Sequence, residues 1–305
     1  MNVYGPVPSR RLGYSLGVDI ISFKECTFDC IYCQLGPTTQ KTIRRKKYFS
    51  SKEILSEIKE KLASGQRIDY ITFSGSGEPS LNLNLGKLIG EIKKITNIPV
   101  AVLSNGSLLS RKSVRKDLLA ADLVVPSLDA AAQETFAKTN RAHSSLKLDE
   151  IIGGFERFRQ EFKGSIWLEI MLVKGVNDSL SHLRRLKEAI VKIKPDKIHL
   201  NTVVRPPAEK FARPLSLNEL EKIKKIFGKN SEIIAEFDRK AQKPSSENLE
   251  KAILSMIQRR PVTLSDITIS LGVHKNEVIK YLNFLLEEGN IRTSTHKGLE
   301  YYEPR

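Results

Sequence analysis

The chain of 305 residues predicts an α/β protein: an open partial barrel of six strand-helix units followed by a small second domain. Three observations carry that expectation. From Gly17 to Ala235, short β-branched runs alternate with apolar stripes of helical period, the signature of parallel strands joined by crossover helices. Polar residues gather at the C-terminal ends of these runs, where α/β folds place their ligands. The pattern then changes after Asp238–Ser246, a charged stretch containing proline and lacking apolar periodicity, which reads as a linker. Six units are too few to close an eight-stranded barrel, and parallel strands need both faces covered. The sheet is therefore expected to stay open, with residues 1–240 as the barrel and 241–305 as linker and second domain.

Taken in order, Tyr4 to Gly13 is too rich in Gly and Pro for a regular element and reads as an extended arm carrying Arg10 and Arg11. Gly17 to Ile21 is the first strand, and a loop with three cysteines leaves its end. Lys41 to Tyr48 holds five basic residues and a terminal aromatic, either a solvated loop or a phosphate-contacting rim. Ser50 and Glu53 form a capping box for a helix with the stripe Ile54, Leu55, Ile58 and Leu62. Strand Tyr70 to Phe73 runs into Ser74-Gly75-Ser76-Gly77-Glu78-Pro79. Helix Leu85 to Ile95 leads to strand Val100 to Leu103, ending in Ser104-Asn105-Gly106. Helix Lys112 to Ala120 leads to strand Leu123 to Val125 and then Ser127-Leu128-Asp129. Residues 130–148 suggest no element. A helix from Asp149 to Phe162 precedes strand Ser165 to Val173, a helix from Leu183 to Ile193 precedes strand Lys197 to Val204, and a helix from Asn218 to Phe227 precedes a short closing strand, Glu232 to Ala235.

Beyond the linker, Leu249, Ile253, Met256 and Ile257 mark one amphipathic helix, and Thr263 with Asp266 caps a short second one that stops at Gly272. A third runs from Lys275 to Glu288 with Val278, Leu282, Leu285 and Leu286 inward. Ile291 to Thr295, a turn at Gly298, and Glu300 to Tyr302 read as a hairpin. Three helices and a hairpin resemble a winged helix-turn-helix domain. DNA binding would concentrate positive charge on the third helix, yet Lys275 and Lys280 stand there against Glu277, Glu287 and Glu288, so docking to protein or RNA fits better.

The net charge of +15 points to a polyanionic partner such as nucleic acid. Residues 245–305 hold eight Lys/Arg and eight Asp/Glu, so the whole excess lies in residues 1–244. No apolar run approaches the ~18 residues of a membrane span and no opening segment has the form of a signal peptide. A cytoplasmic location without membrane attachment is expected.

All three cysteines lie in Cys26-Thr27-Phe28-Asp29-Cys30-Ile31-Tyr32-Cys33. An odd, clustered set has no disulfide scheme, and soft thiolates at these spacings suit an iron-sulfur cluster, zinc or cuprous copper. The nearest histidine, His143, is more than a hundred residues away, so one metal position is expected to lack a protein ligand. A zinc or redox loop is the alternative reading of the spacing. The Cys-x3-Cys-x2-Cys loop after a first strand, with Tyr32 before the last cysteine, resembles the radical SAM superfamily. So do the opening Gly-Pro-Val-Pro-Ser-Arg-Arg and the Ser-Gly-Glu-Pro strand end; together they look most like the iron-sulfur oxidoreductases grouped with wybutosine-biosynthesis enzymes, over about residues 1–240. That resemblance implies a 4Fe-4S cluster on Cys26, Cys30 and Cys33 whose fourth iron is chelated by S-adenosylmethionine, a partial barrel, and a reductant such as flavodoxin or ferredoxin. It places Tyr32 beside the nucleoside, Gly77 and Glu78 on the methionine ammonium, Ser104 and Asn105 on substrate or methionine, and Ser127 and Asp129 near the ribose. The extra cysteines of the tRNA enzymes in that group are missing here.

Two further strands add candidates from pattern alone. Glu169 shares a face with Trp167 and Met171, and a buried carboxylate there needs a ligand or an arginine. His199 and Asn201 share a face of the next strand, with Arg205 at its end; Arg141 is a loop candidate. The resulting expectation is an enzyme that cleaves S-adenosylmethionine reductively to a 5′-deoxyadenosyl radical and abstracts hydrogen from an RNA or another anionic substrate. The alternatives are a radical activase for a partner protein, a small-molecule enzyme of the same kind, and an iron-sulfur redox sensor that binds DNA.

Overall fold

In the computed structural model, which describes residues 2–205, 207–235, 247–259, 261–296 and 298–305, the order of strands along the sheet is their order along the chain. The strands of the main sheet are β1 (Val3–Ser9) and β2 (Gly13–Val18); after the two-residue strands β3 (Glu25–Cys26) and β4 (Gln40–Lys41) of the cysteine loop come β5 (Tyr70–Phe73), β6 (Val100–Ser104), β7 (Leu123–Pro126), β8 (Ser165–Leu172), β9 (Lys197–Thr202) and β10 (Ser231–Ile233). The eight run β1-β2-β5-β6-β7-β8-β9-β10. All neighbours from β2 onward are parallel. Each crossover thus returns to the adjacent position, and all parallel strands deliver their C-terminal ends to one side.

The helices are α1 (Ser51–Ala63), α2 (Leu85–Ile95), α3 (Lys112–Leu118), α4 (Gln133–Thr139), α5 (Leu148–Glu161), α6 (Leu180–Ile193) and α7 (Leu217–Phe227). Period-two alternation divides the strands cleanly. Ile71, Phe73, Val100, Val102, Ile166, Leu168 and Ile170 pack in the large core with the helices. The opposite face carries Ala101, Leu123 and Val125 with Tyr70, Leu103 and Trp167, and the hydroxyl of Ser15 donates to Thr72 Oγ1 across it at 2.6 Å.

Two elements depart from the sequence expectation. The opening stretch is a strand, not a free arm: β1 pairs antiparallel with β2, with a register shift between Tyr4 and Val7. As the edge strand it tolerates prolines that a central strand would exclude, and β2 accordingly begins at Gly13 rather than Gly17. Helix α4 lies in the stretch that suggested no element; at seven residues it is too short to display a helical stripe.

Past residue 246 come α8 (Glu247–Arg259), α9 (Leu264–Leu271), α10 (Lys275–Glu287) and the antiparallel pair β11 (Ile291–His296) and β12 (Leu299–Pro304). They gather a core of their own around Ile253, Ile257, Ile267, Leu282, Leu285 and Ile291. The linker expected at Asp238–Ser246, with the boundary at 240, lies outside the described residues. This C-terminal unit sits against the barrel through the start of α10. His274 stacks on Tyr4 with ring centroids 4.4 Å apart, and Lys275 Nζ lies 5.0 Å from the centre of the Phe23 ring. His274 Nδ1 accepts from the Asn276 amide at 3.2 Å, capping α10. Its Nε2 then carries the proton and faces Asp19 Oδ2 at 3.3 Å.

Candidate active site

The loop after β2 holds the cysteines, and its conformation is fixed from below by β5. Gly77 packs so closely that a Cβ would stand 1.9 Å from the Glu25 carbonyl oxygen. Gly75, at φ +151°, abuts the Asp19 carboxylate. Ser76 donates its amide to Asp19 Oδ2 at 3.0 Å and its hydroxyl to the same atom. The sequence reading did not single out Asp19, which ties the loop ends after β2 and β5 together and meets His274 as well.

Each cysteine sulfur faces an N–H donor from a different part of the chain. Lys24 Nζ donates to Cys33 Sγ at 3.2 Å, Asn105 Nδ2 to Cys26 Sγ at 3.5 Å and Asn140 Nδ2 to Cys30 Sγ at 3.6 Å. Although the three residues keep part of their surface exposed, burial pushes the Cys26 thiol up to about 12 and the Cys30 thiol well above its ordinary range. Both hold their protons until a metal displaces them. Lys24 is itself buried, in a left-handed conformation at φ 59°, and sets its Nζ against the Cys33 sulfur. Neither Lys24 nor Asn140 was legible as a site residue, because neither belongs to the cysteine spacing; only the proximity of Lys24 to Cys26 in sequence gave a signal.

Three soft donors on one loop, each with an N–H to stabilise a thiolate, fit an iron-sulfur cluster. Among the described residues no group of three His, Cys, Asp or Glu side chains converges to hold one metal ion. A cluster that gives each thiolate its own iron makes no such demand.

Glu78 follows directly. It is 2% exposed and accepts from the Ser104 hydroxyl at 2.7 Å, the Asn105 amide at 2.7 Å and the Ser80 amide at 3.0 Å. All three donors are neutral, no ion pair to Glu78 occurs among the described residues, and burial raises its carboxyl above the usual range. With Cys26, Tyr32, Gly77, Ser104, Asn105, Ser127 and Glu169 it lines one cleft of about 370 Å³. Asp129 stands behind Tyr32. Its carboxylate accepts the Tyr32 hydroxyl, the Asn140 amide at 2.7 Å and the Met171 backbone N–H at 2.8 Å. Burial raises Asp129 to about 6. What the structure shows of Asp129 is a part in holding Tyr32 and Asn140 in place.

Glu169 is also buried, but it has a cation. Arg11 Nη1 reaches its Oε2 at 2.5 Å and Asn201 Nδ2 its Oε1 at 2.8 Å. Burial pushes this carboxyl upward, yet Arg11 outweighs it and holds the group below the usual range. Of the two readings of Glu169, ligand contact or buried arginine partner, the structure supplies the arginine while leaving the residue on the cleft wall. Asn201 lies beside it in an adjoining recess with Tyr32 and Cys33. His199 is enclosed below, edge-on to Trp167. Arg141 pairs with Glu209. In the basic stretch, Arg45 binds the Ser80 carbonyl at 2.8 Å and Asp117, and Lys46 pairs with Glu25 at 3.0 Å. Lys41, Arg44 and Lys47 are exposed, so three of the five cations of this stretch remain at the surface.

The model of the radical SAM superfamily matches residues 20–186. A GTPase Obg of Brachyspira hyodysenteriae is 42% identical over 98% of this chain, which spans only 45% of that protein's length. A UPF0026 protein of Methanocaldococcus jannaschii is 34% identical, with 98% of this chain and 94% of the relative covered. Among solved structures, TYW1 with a lysine-pyruvate adduct bound superposes with a TM-score of 0.57 at 19% identity over 74% of this chain and 75% of the other, a likeness of fold.

Proposed function

Because the chain belongs to the radical SAM superfamily and to the UPF0026 family, we propose that it abstracts hydrogen from an anionic substrate, with RNA the first class to test. It is an enzyme of the iron-sulfur oxidoreductase or transferase type, with a 4Fe-4S cluster and S-adenosylmethionine as cofactors. When bound, these supply an electron to the sulfonium and, on cleavage, methionine and a 5′-deoxyadenosyl radical.

The chain's own residues divide the remaining work. Cys26, Cys30 and Cys33 would hold the cluster, with Lys24, Asn105 and Asn140 stabilising their thiolates. Glu78 and the backbone at Gly77 take the methionine ammonium, while Ser104 and Asn105 fix the Glu78 carboxylate. Tyr32, braced by Asp129, flanks the nucleoside; Ser127 and Asn201 lie on the way to the substrate, with Glu169 held between them. Residues 1–240 form the catalytic domain in this reading, and 241–305 a linker and winged-helix domain that docks on it. The third helix of that domain turns Asn276 and Lys280 toward the cleft, which favours a part in catalysis over reading DNA. A flavodoxin or ferredoxin serves as reductant.

The observation that carries the proposal is Glu78, a buried carboxylate with neutral donors only, on the same cleft wall as Cys26. Such a group is stabilised by an arriving cation. The test is anaerobic reconstitution with iron and sulfide, reduction with S-adenosylmethionine present, and quantitation of 5′-deoxyadenosine with and without total tRNA. Formation that rises with tRNA supports RNA. Formation indifferent to tRNA keeps the radical chemistry and moves the substrate to proteins or small metabolites. No deoxyadenosine from cluster-loaded protein overturns the proposal.

A further inference from the structure

Lysine is almost never fully buried without a partner of opposite charge, yet Lys24 is 3% exposed. The polar partners of its side chain are cysteines. Its Nζ donates to Cys33 Sγ at 3.2 Å, and although burial dominates in raising the Cys26 thiol, Lys24 pulls that thiol the other way. No carboxylate pairs with Lys24 among the described residues. An ammonium carries three N–H donors, and the Cys33 sulfur takes one of them. The other two have no acceptor among the described residues.

The backbone enforces this placement. Lys24 lies in the left-handed region at φ 59°, which residues other than glycine rarely adopt and which persists only where the surroundings hold it. Its amide donates to the Ser76 carbonyl at 2.7 Å, and its carbonyl accepts the Thr39 and Gln40 amides at 3.1 and 3.2 Å. The strand end that carries Gly77 and Glu78 thus fixes Lys24 from one side, and the returning arm of the cysteine loop fixes it from the other. The two other donors to cysteine sulfur are neutral, and both are shared. Asn105 Nδ2 also donates to Thr27 Oγ1 at 2.7 Å, and Asn140 Nδ2 to Asp129 Oδ2 at 2.7 Å. Lys24 differs from them in its charge and in having the cysteine loop alone to serve.

We propose that Lys24, through its charge, sets the reduction potential of the iron-sulfur cluster. A 4Fe-4S cluster on three thiolates is an anion, and the one electron it takes from the reductant adds a further negative charge. A buried ammonium at hydrogen-bond distance from a ligating sulfur stabilises the reduced state more than the oxidised one. The electron therefore enters at a higher potential, within reach of a weaker reductant. The cluster in turn supplies what Lys24 lacks, a counter-charge and sulfur acceptors for its two remaining N–H groups. The proposal rests on the assignment of Cys26, Cys30 and Cys33 to the cluster.

Redox titration of the full-length protein tests it. Wild type, K24M, K24R, K24Q and K251M, the last on the exposed side of α8, are reconstituted anaerobically with iron and sulfide, and their loading is quantified. Each is then titrated in the presence of mediators while the paramagnetic signal of the reduced cluster is followed, without S-adenosylmethionine or substrate. K24M is expected to shift the reduced-to-oxidised ratio at a given potential about tenfold or more toward oxidised, which for a one-electron couple moves the midpoint ~59 mV downward. K24R stays within about threefold because the positive charge remains, which separates loss of charge from loss of folding. K24Q keeps an N–H donor without the charge and shifts as K24M does, so it decides the matter if K24M loads incompletely. K251M titrates as the wild type does. A midpoint in K24M or K24Q equal to that of the wild type, at equal loading, overturns the proposal. Wild-type protein that takes up no cluster overturns the cluster assignment and the proposal with it, an outcome visible before any titration. Since no turnover is involved, the midpoints are independent of whether wild-type protein forms deoxyadenosine.

Discussion

Two carboxylates line the same cleft, and the chain treats them in opposite ways. Glu78, after β5, is enclosed by two backbone amides and a hydroxyl, and burial raises its carboxyl. Glu169, within β8, is enclosed by Arg11 and Asn201 and is held low. Both are polar groups on the inward face, and both qualify as binding residues by position. The difference lies in charge balance: Glu169 has its counter-ion from within the chain, whereas Glu78 has geometry without a counter-ion. A buried carboxylate of the second kind is the one suited to receive a ligand cation.

The largest expected effect comes from removing the internal counter-ion. Arg11→Met leaves Glu169 buried and unpaired, and urea unfolding should show a loss of about 3–5 kcal/mol. Adding Glu169→Gln to that variant should recover much of the loss; if the single variant is as stable as the parent, Arg11 does not hold Glu169 and the contrast collapses. Next is Glu78→Gln, which removes the charge proposed to meet the ammonium of S-adenosylmethionine. Binding of S-adenosylmethionine to cluster-loaded protein, followed by dialysis, should weaken by about 1.5–3 kcal/mol, the worth of a charge-assisted hydrogen bond. Unchanged affinity would assign the ammonium elsewhere.

A pH effect belongs to the Glu169 side. His199 is its cross-strand partner on β9, and burial, with Arg11 nearby, lowers its imidazole to about 4. The unfolded chain takes up the proton first, near the ordinary value of ~6.5, so this histidine's contribution is complete above that value and is lost as pH falls through 6.5 toward 4. Between pH 7 and pH 5 the parent should lose roughly 2 kcal/mol more stability than His199→Gln; parallel pH profiles would disprove it. The smallest effect is expected far from the cleft, where Lys93 pairs with Asp122 at 2.5 Å in an exposed setting. Lys93→Ala should cost under about 1 kcal/mol, and a larger loss in a urea melt would mean that exposed pairs contribute as much as the enclosed one.

The parallel strands and most of the helices were legible because each repeats a period that the core face enforces, as Ile71 and Phe73 do against Thr72. The edge strand β1 was not, since Gly5, Pro6 and Pro8 hide it and only its position at the margin of the sheet permits them. Within the site, residues contiguous with a motif could be read: the cysteines, Gly77 and Glu78, Ser104 and Asn105. Partnerships across the fold could not. Arg11 lies 158 positions from Glu169 and Asn140 lies 110 from Cys30, and no local pattern ties such residues together. Asp129 was found by position, yet its bonds to Tyr32 and Asn140 depend on the fold. Lys280 was weighed as a poor DNA contact on its own helix; its place on the cleft wall depends on how α10 is seated.

The sheet whose spatial order repeats its sequence order also sets a timetable. A chain emerging from the ribosome can add each strand to the one before it, since no later strand must be inserted between earlier neighbours. The thiols at 26, 30 and 33 therefore precede most of their attendants: Lys24 comes just ahead of them, but Glu78 arrives with β5, Asn105 with β6 and Asn140 after β7. Metal delivered to the nascent loop meets thiols without their full set of N–H donors, and metal delivered after residue 140 meets all three. The gap between those two moments is the period in which the cluster site is most open to the wrong ion.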